Sequence, residues 1–483
     1  MQPTGIIRIL GLLLMLMSVI FIPPLWIEFG YHDGQLRPFY VSFFLTFIIG
    51  FIAWFPLRKK IYPLRTHHGF LIVAMFWITS GLVGALPLYF SMLPKITFTD
   101  AFFESVSGLT TTGATIFKSI DSLPHSILYY RQQLQFLGGI SIIILAVDIW
   151  PTLGIGGMQL FRTEITGPVK DDKLTPRVTQ TAKAIWLVYV IMTILCLICY
   201  RIAGMTWFDA VGHSFSTVST GGFSTHDANF EFFHSKWIEG IAIVFMLLGA
   251  INFSLHYLAF KRQDLKLYWQ DPELRMYIKL LFNIVILTWI VLIILSPSQF
   301  PHQSMMDGIF QTVSLATTTG FSTVDYSYWP PFIPIMLLFA AMIGGCSGST
   351  SGGVKAIRVL LLQKQGTREI HRLIHPHGQL TVKLGGKALS PKVIEAVWGF
   401  FAIYAVVFTF LLLLLLLANE DFLTLYSALI ACISNAGRGL GHVSQHFSGL
   451  SDYAKWVLTI AMLAGRLEIF TLLVIFSPVF WRR

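Results

Sequence analysis

The stretch LTTTGAT at Leu109–Thr115 recurs in related form at three later places in the chain. The later strings are STGGFST at Ser219–Thr225, TTTGFST at Thr317–Thr323 and SNAGRG at Ser434–Gly439. One glycine of each string lies about a hundred residues from the equivalent glycine of the next, and such a spacing is typical of an internal repeat. The chain is therefore predicted to contain four copies of one structural unit.

The similarity of the first three copies extends upstream, as DAFFESVSGLTTTG, DAVGHSFSTVSTGG and DGIFQTVSLATTTG. Each begins with an aspartate thirteen residues before the glycine, namely Asp100, Asp209 and Asp307, and Thr424 stands at that position in the fourth copy. We expect each copy to form a short amphipathic half-helix. The Ser/Thr/Gly string that follows it is too polar and too short to span a bilayer.

The composition is that of a protein embedded in a membrane. Of the 483 residues, 55% are hydrophobic and 12% are charged, which is about half the charged fraction of a soluble domain. The net charge of +10 is attributed to basic cytoplasmic loops and not to a nucleic-acid partner.

The four cysteines lie in apolar or Gly/Ser segments, so no redox or metal function is expected of them. GIGG at Gly154–Gly157 is not a GxGxxG fingerprint, so the chain itself is expected to bind no nucleotide cofactor.

Each unit is predicted to consist of a long apolar helix, the half-helix with its polar string, and a second long apolar helix. Two further spans, near 5–22 and 39–55, precede the first unit. The predicted fold class is an all-α polytopic membrane protein with two leading transmembrane helices and four pseudo-symmetric helix–pore-loop–helix repeats around a central pore. The predicted first helices are 69–92, 182–204, 276–296 and 393–418, and the predicted second helices are 126–150, 236–260, 330–362 and 453–480. The predicted domains are 1–66 for the leading helices and 67–161, 162–270, 271–365 and 366–483 for the repeats.

The distribution of charge predicts the orientation. Lys and Arg cluster in the loops between repeats, above all in Lys355–Lys392 with eight basic residues, whereas the opposite loops carry Asp and Glu. Because basic loops remain in the cytoplasm, both termini are predicted to be cytoplasmic. The half-helices then enter the membrane from the acidic outer side.

The four strings are predicted to form a selectivity filter. Non-helical backbone at membrane depth is tolerated only where it is buried in protein or lines a watery cavity. Four such segments can surround one axis, and their carbonyl oxygens can replace the hydration shell of a cation. Kinked Ser/Thr-rich turns are the alternative, and four matched copies argue against it. The predicted filter residues are Thr111, Thr112, Gly113, Thr220, Gly221, Gly222, Thr318, Thr319, Gly320, Asn435, Ala436 and Gly437.

A second unusual segment, GGCSGSTSGG, interrupts the second helix of the third repeat. Five glycines in ten residues disfavour a helix, and broken helices at membrane depth mark ion pathways. The equivalent helices of the other repeats carry ordinary apolar residues and are expected to be continuous. A static kink is the alternative to a functional loop. The segment comprises Gly344, Gly345, Cys346, Ser347, Gly348, Ser349, Thr350, Ser351, Gly352 and Gly353, with Lys355 at its inner end.

One charge stands out within the predicted second helices. Arg466 occupies the position that Gly139, Ala250 and Gly345 hold in the other repeats. An intramembrane arginine costs about 2.5 kcal/mol or more and is a functional-site hypothesis by default. Glu468 lies two residues away on a different helical face and is a poor partner. We expect Arg466 to face the pore below the filter, and an ion pair with another acid is the alternative.

The filter strings, GGCSGSTSGGVK at Gly344–Lys355 and GRLEIFTLL at Gly465–Leu473 together resemble one known family. They are similar to the membrane subunits of Trk-type bacterial potassium uptake systems, the TrkH/TrkG kind in the Trk/Ktr/HKT superfamily. The resemblance covers nearly the whole chain. It implies four channel-like units in one chain, one filter glycine per repeat, K⁺ bound only at the filter residues, and a gating loop under the filter.

The resemblance also implies a location and partners. These are a bacterial inner membrane with its lipid, a second copy of the chain in a homodimer, and a TrkA-like cytosolic regulatory subunit that carries the NAD or ATP site. A serine at the first filter glycine accompanies sodium permeation in related plant proteins, so Gly113 favours potassium. The fourth string departs from the other three, with Asn435 and Ala436 where they have Thr, Ser or Gly, and Arg438 is expected to point away from the axis.

Two other readings remain open. A proton- or sodium-coupled potassium symporter would have the same sequence features as a gated channel. An intramembrane enzyme using Asp148, Glu468 or the histidines is the alternative from another class. It lacks a GxGD, HExxH or Ser–Lys arrangement, and a fourfold repeat has no use in a single-site enzyme.

Overall fold

The computed structural model describes residues 3–59, 66–144, 178–295, 305–376, 378 and 380–481. The described part is all-α, as predicted, apart from one antiparallel pair of two-residue strands, Lys383–Leu384 and Lys387–Ala388. Within it, six helices are long and apolar enough to cross a membrane, or seven if one bent pair counts as a single span. The chain is therefore a multi-pass membrane protein.

Two leading spans precede the repeats. The first runs through Pro3–Ser18, a short 3₁₀ turn and Ile22–Tyr31, and the second is Leu36–Trp54. Both are longer than the sequence predicted. They cross where Gly11 meets Gly50, because a Cβ on either glycine would lie within 3.0 Å of the other's carbonyl oxygen. This contact brings the two backbones together.

The first helix of each repeat agrees with its predicted position to within a few residues. These helices are strongly apolar and long enough for a bilayer core, which requires about 20 residues. They are Thr66–Phe90, Val178–Ile202, Pro272–Leu295 and Pro391–Leu416.

The predicted half-helices are present in all four repeats, and each has twelve residues. In the first repeat, Thr97 caps the helix by accepting a hydrogen bond from the Asp100 amide and donating one to the Asp100 carboxylate. In the fourth repeat the two residue types are exchanged, since Asp421 is the cap and accepts from the Thr424 amide. The exchange explains why Thr424 stands where the other copies have aspartate. The half-helices are Phe98–Leu109, Trp207–Val218, Met305–Ala316 and Phe422–Ile433.

The second helices differ from the prediction, which expected an interruption in the third repeat alone. In the second repeat the helix also breaks, and its two parts, Lys236–Gly249 and Phe253–Arg262, meet at 94°. In the fourth repeat the helix ends at Arg466. The second helices are His125–Ile144, Lys236–Gly249, Phe332–Ile343 and Asp452–Arg466. The helices that follow the breaks are Phe253–Arg262, Ala356–Ile374, Phe470–Phe476 and Pro478–Trp481.

The break in the second repeat is possible because the carbonyls at that helix end find partners in another repeat. The Gly249 and Ala250 carbonyls accept hydrogen bonds from the amides of Thr350 and Cys346 in the third repeat. The end of a helix leaves carbonyls without intrahelical partners, and at membrane depth such groups must be satisfied within the protein. The prediction that this helix is continuous is therefore wrong, because the residues that stabilise its break, Cys346 and Thr350, lie about a hundred residues further along the chain.

The second helices cross their own half-helices at glycines. A Cβ on Gly138 or Gly465 would lie within 3.0 Å of the last carbonyl of the half-helix, that of Leu109 or Ile433. In the first and fourth repeats the second helix therefore lies directly against the end of its half-helix. Residues 145–150 of the predicted first-repeat helix, Asp148 and the boundary between the predicted domains 67–161 and 162–270 lie outside the described residues, and the domain bounds stay predictions.

Candidate functional site

The four strings follow the same backbone course. Each string contains a non-glycine residue with a left-handed φ of +52° to +55°. Two positions later stands a glycine with a φ of +73° to +83°. Three of the left-handed residues are threonines, for which such a φ costs of order 1–3 kcal/mol and persists only where the surroundings enforce it. The left-handed pairs are Thr111 and Gly113, Thr220 and Gly222, Thr318 and Gly320, and Asn435 and Gly437.

One hydrogen bond supports this course in every string. The amide just before the glycine donates to the carbonyl five residues back, at 2.8 Å in all four copies. The string is thereby anchored to the last turn of its half-helix. The donor and acceptor pairs are Thr112 and Ser107, Gly221 and Ser216, Thr319 and Ser314, and Ala436 and Ala431.

The strings close into a ring. A Cβ on any of the four glycines would lie within 3.0 Å of a carbonyl oxygen in the next repeat, and a Cβ on the fourth would meet the first. We call this arrangement the glycine ring. No side chain fits at these positions, and the left-handed φ would strain one in any case. The neighbours are Gly113 and Gly221, Gly222 and Thr319, Gly320 and Ala436, and Gly437 and Thr112.

The electrostatics around the glycine ring favour a cation. Each half-helix ends at its string, so four helix C-termini converge on the ring. A helix C-terminus carries roughly half a negative charge. The ring glycines and their neighbours are almost wholly buried, and Gly113 is partly exposed. The site can therefore offer carbonyl oxygens and negative dipole ends in a region shielded from water.

The fourth string substitutes an amide for a threonine. The Asn435 side chain donates to the Thr112 hydroxyl at 2.9 Å and to the Met462 carbonyl at 3.1 Å. It thus joins the fourth string to the first. Arg438 is half-buried and lies close enough to Asp325 and Tyr326 to interact electrostatically with both.

The Gly344–Gly353 segment lies against the inner ends of three strings. The Thr350 hydroxyl is 2.9 Å from the Val218 carbonyl oxygen in the second repeat. The Gly352 amide donates to the Thr318 hydroxyl at 2.7 Å in the third. A Cβ on Gly352 would lie within 3.0 Å of the Ser434 carbonyl oxygen in the fourth. Successive residues of the segment therefore reach successive repeats, and the segment lies across one side of the glycine ring.

Two cations lie beside this segment. Arg466 donates to the Thr350 carbonyl at 2.9 Å and to the Gly138 carbonyl of the first repeat at 3.2 Å. Lys355 donates from its ammonium group to the Ser351 carbonyl. Among the described residues no acid forms an ion pair with Arg466, and Glu468 pairs instead with Arg358 at 2.6 Å. Arg466 thus links the segment to the one repeat that the segment itself does not reach.

Sequence reasoning missed a buried ion pair beside the first string. Arg131 donates from Nε to Glu104 at 2.7 Å, and both side chains are fully buried. The Arg131 guanidinium lies 4.2 Å from the centroid of the Phe223 ring, directly after the second ring glycine. Glu104 also accepts from the Ile116 amide at 2.8 Å. The pair fixes the segment that follows the first string. The same rule that selected Arg466, an ionisable residue in an apolar helix, would have found it.

Gln135 was missed as well, although it contacts the glycine ring directly. Its amide donates to the Gly221 carbonyl at 2.6 Å and accepts from the Phe223 amide at 3.1 Å. The second helix of the first repeat therefore holds the string of the second repeat. The equivalent positions in the other repeats are Met246, Ala341 and Met462, so this support is specific to one side of the ring.

His226 joins the first two repeats in the segments that follow their strings. It lies 2.8 Å from Asp121 and 3.3 Å from Asp209. Partial burial lowers the pKa of His226, but the interactions with the two carboxylates outweigh burial and leave this pKa above its ordinary value. His226 and the two carboxylates thus link the segments that follow the first two strings.

The fold and site are those of a polytopic membrane protein in which four re-entrant half-helices converge on one axis. The family model for TrkH, described as "Cation transport protein", matches residues 36–483. The chain belongs to this family. It is a transport protein and not an enzyme, as the family assignment confirms.

Relatives match the chain from end to end. The Trk system potassium uptake protein TrkH of Vibrio parahaemolyticus is 50% identical, with 100% of each chain covered. The protein of the same name from Escherichia coli strain K12 is 49% identical over 99% of each chain. TrkG of that strain is 42% identical over 98% of this chain and 97% of its own. The crystal structure of the potassium transporter TrkH from Vibrio parahaemolyticus superposes with a TM-score of 0.92 at 47% identity over the whole of both chains. The predicted family and fold class are thereby confirmed.

A substitution at Gln135 tests whether the glycine ring depends on this side chain. In Gln135→Met the residue becomes that of the second and fourth repeats, and the Gly221 carbonyl loses its donor. One such hydrogen bond contributes about 1 kcal/mol, so we expect the ratio of rubidium to sodium uptake into liposomes to fall about fivefold. Gln133→Met is the matched control, because Gln133 donates to the Ile20 carbonyl, away from the ring. An unchanged ratio in a folded Gln135→Met variant would contradict the assignment.

Proposed function

We propose that the chain takes up potassium across the bacterial inner membrane through a four-part selectivity filter. The glycine ring is the observation that supports the proposal. Each ring glycine lies against a backbone carbonyl of the next repeat, so backbone oxygens and no side chains occupy the position where a dehydrated cation would pass. The names of the relatives, which are potassium uptake proteins and a potassium transporter, support potassium as the ion.

The path begins at the acidic outer side. Stripping a monovalent ion of its water costs tens of kcal/mol by Born reasoning, so several oxygens must replace that water together. Ring carbonyls do so in potassium filters. The filter residues in this proposal are those predicted from the sequence, with the carbonyls of Thr112, Gly221, Thr319 and Ala436 in one layer. The four negative helix ends add to the attraction.

The Gly344–Gly353 segment is the proposed gate. It lies across the inner side of the ring and is held there by hydrogen bonds that can break one by one. A gate requires two states a few kcal/mol apart, and a glycine-rich break meets this requirement better than a packed helix does. Arg466 and Lys355 place two positive charges beside it and shorten the time that a cation remains there.

The orientation and partners complete the proposal. Both termini lie in the cytoplasm, the chain forms a homodimer, and a TrkA-like subunit with an NAD or ATP site docks on the basic inner surface. Of that surface, Arg368 and Arg372 lie on the helix that leaves the gate segment and are accessible. Arg358 on the same helix is buried in its ion pair with Glu468 and does not contribute.

Coupling to a proton or sodium gradient is the alternative mechanism. Reversal potentials measured in liposomes, with the potassium, sodium and proton gradients set independently, distinguish the two. A gated channel predicts a reversal potential set by potassium alone. A symporter predicts a shift when the gradient of the coupled ion changes.

Selectivity is tested at the first ring glycine. Gly113→Ser forces a side chain against the Gly221 carbonyl and so displaces one ring oxygen. We expect the ratio of sodium to potassium flux to rise about tenfold, which corresponds to ~1.4 kcal/mol. Gly399→Ser is the control, because open space surrounds Gly399. If Gly113→Ser is well expressed and its flux ratio equals that of the parent, the filter assignment is wrong.

The gate is tested by removing its contacts. Deletion of Gly345–Gly352 should raise potassium flux and weaken its dependence on a cytosolic partner, while ion preference is largely kept. Because a deletion can misfold, Thr350→Val serves as a second variant that removes the hydroxyl beside the Val218 and Gly249 carbonyls. We expect a several-fold rise in flux, since each lost bond contributes about 1 kcal/mol. If both variants fold and conduct less potassium than the parent, the segment has a structural role and the gating proposal is wrong.

Docking is tested by charge reversal. Arg368→Glu with Arg372→Glu should weaken co-purification with the TrkA-like subunit at least several-fold and leave basal permeation intact. Both arginines lie within 4 Å of Glu369, so reversal also creates a repulsive acidic cluster. Arg58→Glu with Lys59→Glu, at the end of the second leading span, is the control. If co-purification is undiminished, the regulatory subunit does not dock at Arg368 and Arg372.

A further inference from the structure

A cavity of about 500 Å³ opens between the first helix of the third repeat, Pro272–Leu295, and the helix Ala356–Ile374 that leaves the gate segment. The volume is within the range of small-molecule sites. Neither the filter nor the gate uses it. Its lining residues are Pro272, Arg275, Met276, Lys279, Leu280, Asn283, Leu360, Gln363 and Lys364.

The lining has two chemically distinct parts. Arg275, Lys279 and Lys364 supply three positive charges, and no acidic side chain is among the described residues that line the cavity. Asp271 lies near enough to Arg275 to interact electrostatically, but its carboxylate already accepts the Leu274 amide at 2.9 Å. The other part is apolar and consists of Met276, Leu280 and Leu360.

The cavity lies beside the first turns of a membrane-spanning helix, the part of such a helix that is expected near the lipid headgroups. Arg275 and Lys279 lie three and seven residues after the start of a spanning helix at Pro272. At 1.5 Å per residue they are therefore roughly 5 and 10 Å along it. Further along the same helix, the exposed Phe282 faces outward at 64% exposure. The two positive residues thus lie within the first two turns of the spanning helix, and the apolar residues Met276 and Leu280 directly follow them in the chain.

We propose that this cavity binds the headgroup of an anionic phospholipid of the inner leaflet. The phosphate contacts Arg275, Lys279 and Lys364, and the first carbons of an acyl chain pack on Met276 and Leu280. Basic pockets between spanning helices on the cytoplasmic side bind such headgroups. Gln363, which also lines the cavity, adds a hydrogen-bonding group for the glycerol.

A lipid at this site would contact the helices that hold the gate segment. Glu273, on the first turn of the same spanning helix, accepts from the Ser347 amide at 2.6 Å and from the Ile357 amide at 3.1 Å. The helix Ala356–Ile374 starts three residues after Gly353. Occupancy therefore stabilises the arrangement in which the segment lies under the ring. This consequence for flux rests on the proposed function, whereas lipid binding does not.

The test measures lipid binding without transport. The full chain is purified in detergent, and bound phosphatidylglycerol and phosphatidylcholine are quantified by native mass spectrometry after equal additions of each. We expect preferential binding of phosphatidylglycerol. In the triple variant Arg275→Gln, Lys279→Gln, Lys364→Gln this binding should fall by more than about tenfold, because each basic residue contributes to attraction of an anionic lipid.

The matched control is Lys261→Gln, Arg262→Gln, Lys266→Gln. It removes three charges from the neighbouring stretch Lys261–Lys266, outside the cavity, and should keep lipid binding within twofold of the parent. Equal binding of the two lipids, or binding that survives the triple variant, would overturn the proposal. So would displacement of phosphatidylglycerol by millimolar inorganic phosphate, since the cavity would then be a site for a soluble anion.

Discussion

The structure depends on four places at which a glycine of one repeat touches a backbone carbonyl of the next. There is no room for a Cβ at any of them, so the ring exists only because all four positions are glycine. Three neighbouring elements hold these contacts in place. The half-helices deliver the strings, one amide of each string bonds back to its own half-helix, and the second helices cross close behind at glycines of their own.

The second constraint is the satisfaction of polar groups away from water. The terminal carbonyls of the broken helix in the second repeat accept hydrogen bonds from amides of the third repeat. The Arg466 guanidinium donates to carbonyls of the Gly344–Gly353 segment and of the first repeat. Removing one member of a buried ion pair such as Arg131 and Glu104 leaves an uncompensated charge and costs about 3–5 kcal/mol. The ion pair lies within the first repeat, whereas the contacts of the broken helix and of Arg466 run between repeats and join the four units around the axis.

The sequence predicted those features that are encoded locally. The half-helices, the equivalent glycines and the first helices follow from repeated motifs and from apolar length. The break after Gly249 could not be predicted, because its partners are Cys346 and Thr350, far along the chain. Gln135 was not identified, since nothing in its neighbourhood indicates that it reaches a carbonyl of the next repeat. In the fourth half-helix the Asp and Thr of the cap exchange places, as Asp421 and Thr424. The cap geometry is kept, but the aspartate found in the other copies is absent from the equivalent position.

The most direct test of the account is to locate the ion. A structure determined with thallium in place of potassium should show anomalous density on the axis, enclosed by the carbonyl oxygens of Thr112, Gly221, Thr319 and Ala436. Excess potassium should displace the thallium and weaken this density, whereas the same excess of sodium should leave the density largely unchanged. Thallium that binds only off the axis, or no density inside the glycine ring, would contradict the central claim.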